Sequence, residues 1–254
     1  MERTVVKGIV LRSVDTKESD KILTVLTAEL GKIPVVAKGA RSRRSRVTAA
    51  TQLLAYAEFT LSESHGWQYL AEASTLELFD GVRRDVELLS LGSYFAELTE
   101  TVAYEESEAG NILSLLLNAL YALGTLRRPP ELVRAAFELK LMSLIGFEPL
   151  LEGCAVCGER DPAQPVLDLQ GGVLRCRTCG IGGGCAPLTA GALAAMRHVL
   201  YGDPRRLYSF TLEPEDQRRF SQASERYVSA MLEREFKTLG FYKSLRGSLP
   251  EEDA

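Results

Sequence analysis

The stretch VVKGIVLRSVDTKESDKILTVLTAELGKIPVVAK, residues 5–38, decides the fold of the N-terminal part. Runs of β-branched and apolar residues alternate in it with polar turns, a pattern typical of short strands. The same pattern continues to about residue 76. The strands predicted in this way are residues 5–12, 21–27, 32–38, 53–61 and 67–76. Five short strands in sequence predict a small barrel, and the OB-fold is a five-stranded barrel that binds oligonucleotides.

The pattern changes after Phe79, where apolar residues recur at helical spacing. Pro129 and Pro130 indicate a helix start, and Gly240 is expected to end the last helix. The helices predicted from this spacing are residues 82–104, 109–126, 131–146, 189–200 and 214–239.

The predicted fold class is therefore α+β, with a barrel followed by helices. The OB-fold domain is expected to cover residues 1–78, and the α-helical domain is expected to cover residues 79–248. The acidic tail at 249–254 is predicted to be disordered.

The 254-residue chain has a net charge of −4, but its charge is divided unevenly. Residues 1–50 contain eleven Lys or Arg against five Asp or Glu, a net charge of +6. Residues 51–254 contain nineteen Lys or Arg against twenty-nine Asp or Glu, a net charge of −10. This distribution excludes a protein that coats nucleic acid over its whole surface, but one basic module can still bind a polyanion. The uncharged segment 109–126 contains Asn, Ser and Gly, which predicts a buried helix and no membrane partner.

Four of the five cysteines form two C-x2-C pairs separated by eighteen residues, the spacing of a structural zinc site. Four thiolates complete a tetrahedron and leave no open position for water, so the zinc is expected to be structural. The predicted ligands are Cys154, Cys157, Cys176 and Cys179. A redox pair would normally open a helix after a strand, whereas these pairs lie among Gly, Pro and Asp. Cys185 is left over, and an odd, clustered set of cysteines indicates a reducing cytoplasm rather than a disulfide scaffold.

Residues 38–46, KGARSRRSR, carry five cations with Gly, Ala and Ser between them and no acidic residue. Dense positive charge on a flexible backbone suits a phosphate chain, so DNA or RNA is the expected ligand, and single- and double-stranded DNA are expected to bind alike. The predicted DNA contacts are Lys38, Arg41, Arg43, Arg44 and Arg46. Trp67 and Tyr69 share one face of a predicted strand, where they either stack on bases or pack the barrel.

The sequence contains no recognisable catalytic set, which predicts a protein that is not an enzyme. His65 and His198 lie in different segments, and the glycines at 182–184 are not followed by the Lys-Ser/Thr pair of a phosphate loop. Two alternatives stay open. One is a zinc-containing RNA-binding or ribosome-associated factor that uses the same basic loop. The other is a nuclease or transferase with a structural zinc.

Three motifs near the N-terminus resemble the bacterial RecO family of recombination mediators. With h for an apolar residue, they are KG-hhLR at 7–12, ES-D-hhT-hT-E-GK at 18–32 and hAKGAR at 36–41. The segment LGFYKS at 239–244 is similar to the terminal LG---KS of the same family. The resemblance covers nearly the whole length of the chain.

The resemblance implies an N-terminal OB-fold and a helical C-terminal domain with an inserted zinc finger, here 150–187. It also implies a cytoplasmic, nucleoid-associated protein that anneals complementary single strands. The partners it implies are RecR and single-strand-binding protein, and the outcome is loading of the RecA recombinase. The tail of single-strand-binding protein would need an apolar pocket edged by a cation. Basic residues of the helical part that are candidates for that edge are Arg127, Arg128, Arg134 and Lys140.

Overall fold

The computed structural model describes residues 3–105, 107–179 and 184–248. The chain forms two compact units, Met1–Leu126 with Phe236–Ala254 and Arg127–Glu235. The segment predicted as one helical domain, 79–248, therefore contributes helices to both units. The tail predicted to be disordered, 249–254, lies outside the described residues.

The first unit contains a closed barrel of five strands, which confirms the barrel of the predicted α+β fold. Its strands are β1 Arg3–Thr16, β2 Asp20–Thr27, β3 Lys32–Ala37, β4 Tyr56–Ser64 and β5 Trp67–Glu77. The order around the barrel is β1-β2-β3-β5-β4, and only the β3–β5 pair is parallel. This is the arrangement of an OB-fold. Alternate side chains of all five strands fill the interior, with Phe59 completely buried among them.

Strand β1 belongs to both halves of the barrel and bends to do so. Residues 3–9 pair with β4, and residues 8–16 pair with β2. The bend is possible because Gly8 has no side chain: a Cβ there would lie 2.6 Å from the carbonyl oxygen of Leu26. A register shift between Val10 and Arg12 adds the local coil that a bulge gives to a strand.

Two strand limits differ from the prediction. The end predicted for the first strand, residue 12, is wrong, because β1 extends to Thr16 and pairs there with Asp20. The turn is closed instead by three residues, with Lys17 in the left-handed region at φ 50°. Strand β4 begins at Tyr56 rather than at residue 53, because residues 52–55 form a turn whose backbone hydrogen-bonds to β1.

Seven α-helices lie within the described residues, and none of them has the length and hydropathy of a membrane span. They are α1 Asp80–Arg83, α2 Val86–Val102, α3 Gly110–Gly124, α4 Pro130–Leu144, α5 Ala190–Tyr201, α6 Pro214–Leu232 and α7 Lys237–Ser248. Side-chain caps fix two helix starts: the Asp85 carboxylate accepts hydrogen bonds from the first turn of α2, and Thr189 does the same for α5. The first unit combines the barrel with α1, α2, α3 and α7.

The prediction of one final helix over 214–239, ended by Gly240, is wrong. Helix α6 ends at Leu232, Glu233 adopts the left-handed conformation at φ 49°, and Gly240 lies inside α7. Tertiary packing explains the break. The ring of Phe236 meets Tyr94 edge-on at 5.6 Å, and Tyr242 is completely buried. Burial of these aromatic side chains in the first unit stabilises the chain more than continuation of an amphipathic helix would.

The second unit contains α4, α5 and α6 together with a small sheet that the sequence did not predict. Its strands are β6 Pro165–Asp168, β7 Val173–Cys176 and β8 Cys185–Pro187, in the order β7-β6-β8. Each strand has only three or four residues, too few for a pattern of period two to be recognised.

A buried cluster of charges links α4 to α6. Arg134 is 3 % exposed, and its guanidinium contacts Glu131 at 2.6 Å, Glu138 at 2.9 Å and Glu225 at 3.1 Å. Burial alone would lower the pKa of Arg134, but the three carboxylates, Glu138 first, raise it well above its ordinary value. The arginine therefore stays charged inside the unit, and its removal would leave an excess of buried negative charge.

Arg134→Met is expected to lower the free energy of unfolding by about 3–5 kcal/mol, since it removes the cation from a site with one fully buried carboxylate. Arg218→Met is the matched control, because Arg218 pairs with Glu215 on the exposed face of α6. That control should leave stability nearly unchanged. Urea unfolding followed by circular dichroism measures both, and equal losses would contradict the buried-charge interpretation.

Candidate nucleic-acid interface and metal centre

The basic residues lie on the connection from β3 to β4, residues 38–55, which we call the basic loop. The loop is held against the barrel by its own apolar residues, since Ala40 and Ala50 are buried in the barrel core. Backbone hydrogen bonds fold it into successive turns, including Ser42 to Gly39 and Ser45 to Ser42. The loop is therefore an ordered element rather than a solvated tether.

Polar contacts fix both ends of the basic loop. At the start, Gly39 takes φ 65° and its N–H donates to the Asp20 carboxylate at 2.8 Å. At the end, Arg83 of α1 donates to the Gln52 side chain at 3.0 Å and to the carbonyl of Leu53. Burial lowers the pKa of Arg83, and Asp80 opposes that effect. The sequence alone gave no sign of the role of Arg83, because its partners lie thirty residues away.

The structure places all five predicted DNA contacts on the surface. They are not equivalent. Lys38 lies over the ring of Tyr69, with Nζ 4.6 Å from the ring centroid, and Arg41 pairs with Asp15 at 3.2 Å. In the described part of the chain, the side chains of the remaining three make no ion pair: Arg43, Arg44 and Arg46. These three are the cations most available to a phosphate chain.

The aromatic residues of the barrel divide into two groups. Phe59 is completely buried and packs the interior. Trp67 is 49 % exposed, and Tyr69 is half-buried beneath Lys38. The alternative that Trp67 packs the barrel interior is therefore excluded by its position on the outer face.

The four predicted metal ligands lie together in the second unit, with all four sulfurs within 4.8 Å of one another. The Sγ atom of Cys176 is 3.8 Å from the Sγ atoms of Cys154 and Cys157. Neighbouring sulfurs lie about 3.8 Å apart around a tetrahedral ion with Zn–S bonds of about 2.3 Å. The cysteines are unbridged, so this donor set fits a four-thiolate metal site.

Local hydrogen bonds shift the pKa values of two of the four thiols. Backbone N–H groups, that of Cys157 first, lower the pKa of Cys154 to about 6. Hydrogen bonds to the sulfurs of Cys176 and Cys157 raise the pKa of Cys179 to about 12. Four such thiols cannot all ionise side by side without a cation, whereas a divalent ion would neutralise their repulsion.

The first cysteine turn is fastened to α5 by one side chain that the sequence analysis missed. Arg197 donates to the carbonyl of Leu151 at 2.9 Å and pairs with Asp161 at 2.6 Å. It also donates to the carbonyl of Arg160. These contacts flank Cys154 on both sides, so Arg197 holds the loop that presents two ligands. Only the fold brings Arg197 close to residues some forty positions earlier.

Other candidates are placed in structural roles. Cys185 starts β8 and is not part of the four-sulfur cluster. His198 hydrogen-bonds to the carbonyl of Arg206 and packs edge-on against Phe210. Three of the basic residues suggested for a pocket edge are engaged elsewhere: Arg134 in its glutamate cluster, Lys140 with the carbonyl of Leu200 and Arg128 with the carbonyl of Phe210.

Comparison with known proteins gives the family. The sequence model described as "Recombination protein O N terminal" matches residues 1–79, and "Recombination protein O C terminal" matches residues 83–240. The chain is 35 % identical to the DNA repair protein RecO of Symbiobacterium thermophilum, over 96 % of this chain and 98 % of the relative. It is 31 % identical to the DNA repair protein RecO of Acetivibrio thermocellus, over 94 % of this chain and 95 % of the relative. With a barrel, a four-cysteine cluster and two matching halves, the chain belongs to the RecO family of DNA repair proteins.

Proposed function

We propose that this chain is a DNA-binding recombination mediator that anneals complementary single strands. With RecR it helps to load RecA onto DNA covered by single-strand-binding protein, and it acts in the cytoplasm at the nucleoid. The observation that carries the proposal is the exposed, ordered basic loop on a closed barrel in a chain of the RecO family.

Annealing needs charge neutralisation and no bond-making residue. Two single strands repel each other through their phosphates, and cations that bind both lower that barrier. Contacts to the backbone leave the base edges free to pair. Arg43, Arg44 and Arg46 meet this requirement, because each is exposed and makes no ion pair in the described ranges. We therefore propose a mediator that has no enzymatic activity.

The acidic part of the chain suits protein partners better than DNA. Residues 51–254 carry a net charge of −10, which opposes binding to a second stretch of phosphates. We assign contacts with RecR and single-strand-binding protein to the helical part of this acidic region, residues 79–248, as membership of the family suggests.

The metal that we propose for the four-cysteine cluster is one structural zinc ion. The ligands would be Cys154, Cys157, Cys176 and Cys179. An ion with four thiolates has no open position, so its contribution is to hold the cysteine turns and the small sheet together.

Replacing Arg43, Arg44 and Arg46 together by Gln is expected to weaken both single- and double-stranded DNA binding. Each lost phosphate contact should reduce the salt dependence of duplex binding by about 0.9 in slope, so the triple variant should lose roughly two to three. Fluorescence anisotropy over a series of salt concentrations measures both quantities. The matched control removes three exposed arginines of the second unit, Arg205, Arg206 and Arg226. Equal effects in both triple variants would mean that net charge alone, and not the basic loop, governs binding.

The function itself is tested by the rate at which two labelled complementary oligonucleotides anneal. The chain should accelerate annealing without added nucleotide, and the basic-loop variant should lose most of the acceleration. The same assay with RNA strands separates the alternative RNA-binding factor, for which RNA would be preferred. Release of nucleotides from the strands on addition of magnesium would identify a nuclease and would contradict the proposal.

The zinc proposal predicts one equivalent of zinc per chain, measured by elemental analysis of protein purified without added metal. Cys176→Ser should abolish binding, and Cys185→Ser is the matched control because Cys185 lies outside the cluster. Removal of zinc with a chelator should raise amide exchange around the cysteine turns while barrel strands stay protected. A metal-free wild type with four freely reactive cluster thiols would refute the assignment.

A further inference from the structure

The outer face of the barrel carries an apolar row that crosses four strands. The pairing aligns Val14 of β1 with Ile22 of β2, Ile22 with Val36 of β3, and Val36 with Tyr69 of β5. Val14 is 46 % exposed and Ile22 is 38 % exposed, whereas Leu23 next to Ile22, and Val35 and Ala37 on either side of Val36, point into the core. With strands about 4.8 Å apart, the row spans roughly 14 Å.

A second, shorter row lies beside the first. Pro34 and Trp67 precede Val36 and Tyr69 by two residues on their strands, so they share the same face. Both are exposed, and Trp67 presents about half of its surface. Trp67 has no role in the barrel core, and an exposed indole next to an exposed apolar row marks a binding surface. We call these two rows the outer platform.

Charge next to the outer platform favours a polyanion. Lys38, the first residue of the basic loop, covers the ring of Tyr69, so the loop begins at the edge of the platform. Two carboxylates near this edge are already engaged, Asp15 by Arg41 and Asp20 by the N–H of Gly39. The edge therefore presents positive charge, and the face beside it presents aromatic and aliphatic surface.

From this juxtaposition we infer that the outer platform binds unpaired bases of single-stranded DNA, with Trp67 as the stacking residue and Tyr69 as the ring that holds Lys38 beside it. The inference rests on the proposed function and names which part of the DNA each surface contacts. Aromatic side chains beside a basic track are the means by which proteins bind single strands without sequence preference. Bases in a duplex are already stacked and paired, so duplex DNA would use the basic loop alone. The two surfaces together would make the chain distinguish single strands from duplex.

The chain contains one tryptophan, so its intrinsic fluorescence reports on Trp67 alone. Titration of the full chain with oligo-dT should quench this emission, because a stacked base contacts the indole directly. Titration with duplex DNA should give binding, seen by anisotropy of a label on the DNA, and little change in emission. Absence of quenching at saturating oligo-dT would overturn the inference.

Substitutions test the energetic contribution. Trp67→Ala should weaken oligo-dT binding roughly tenfold and leave duplex affinity within about twofold, while Trp67→Phe should retain most of the single-strand affinity. Tyr121→Ala is the matched control, since Tyr121 is 50 % exposed on α3 and belongs to no barrel strand, and it should change neither affinity. Unchanged duplex affinity also shows that each variant is folded.

The outcomes separate this inference from the proposed function. If the wild type bound neither DNA form, the proposed function would fail and the platform with it. If the basic-loop variant bound neither DNA form while Trp67→Ala bound both as tightly as the wild type, the proposal of DNA binding would stand. The assignment of base stacking to the outer platform would then be wrong. A decrease in emission that depended on protein concentration in the absence of DNA would show that the outer platform joins two copies of the chain. That result would also overturn the inference.

Discussion

The double pairing of strand β1 is the constraint on which the first unit depends. One strand must hydrogen-bond to β2 along one half and to β4 along the other, and this closes the barrel without free edges. The close approach at Gly8 and the register shift before Arg12 make this bend possible. A side chain at position 8 would meet the backbone of β2, so the bend, the closure and the position of every other strand are coupled.

Closure also determines where the positive charge lies. With β3 and β4 on separate sides of β5, the chain between them has to cross the end of the barrel. Ala40 and Ala50 turn inward to cover that end, and the arginines between them must point outward. The basic loop is thus exposed as a result of core packing. Its charges lie close together because the alanines on each side of them are fixed, which concentrates the field that attracts a phosphate chain.

Much of this arrangement could be predicted from the sequence, because burial in a barrel alternates along each strand and leaves a period of two. The spacing of the cysteines likewise predicted a cluster that the fold brings together. The break at Glu233 could not be predicted, since it depends on where Phe236 is buried. The contacts by which Arg197 holds the first cysteine turn also join residues that are distant in the sequence. A local sequence pattern reports burial and turns. Contacts between residues that are distant in the sequence leave no such pattern, so these two features could not be predicted.

The division between the basic loop and the outer platform bears on how annealing would work. A protein that held bases by their edges would block the pairing it has to promote. A ring that stacks on one face of a base leaves the hydrogen-bonding edge free, and cations on the phosphates reduce the repulsion of the incoming strand. As the duplex forms, its bases stack on each other and no longer need Trp67. The single-strand contacts would then be lost while the phosphate contacts remain, so formation of the product would itself weaken the hold of the platform and favour release.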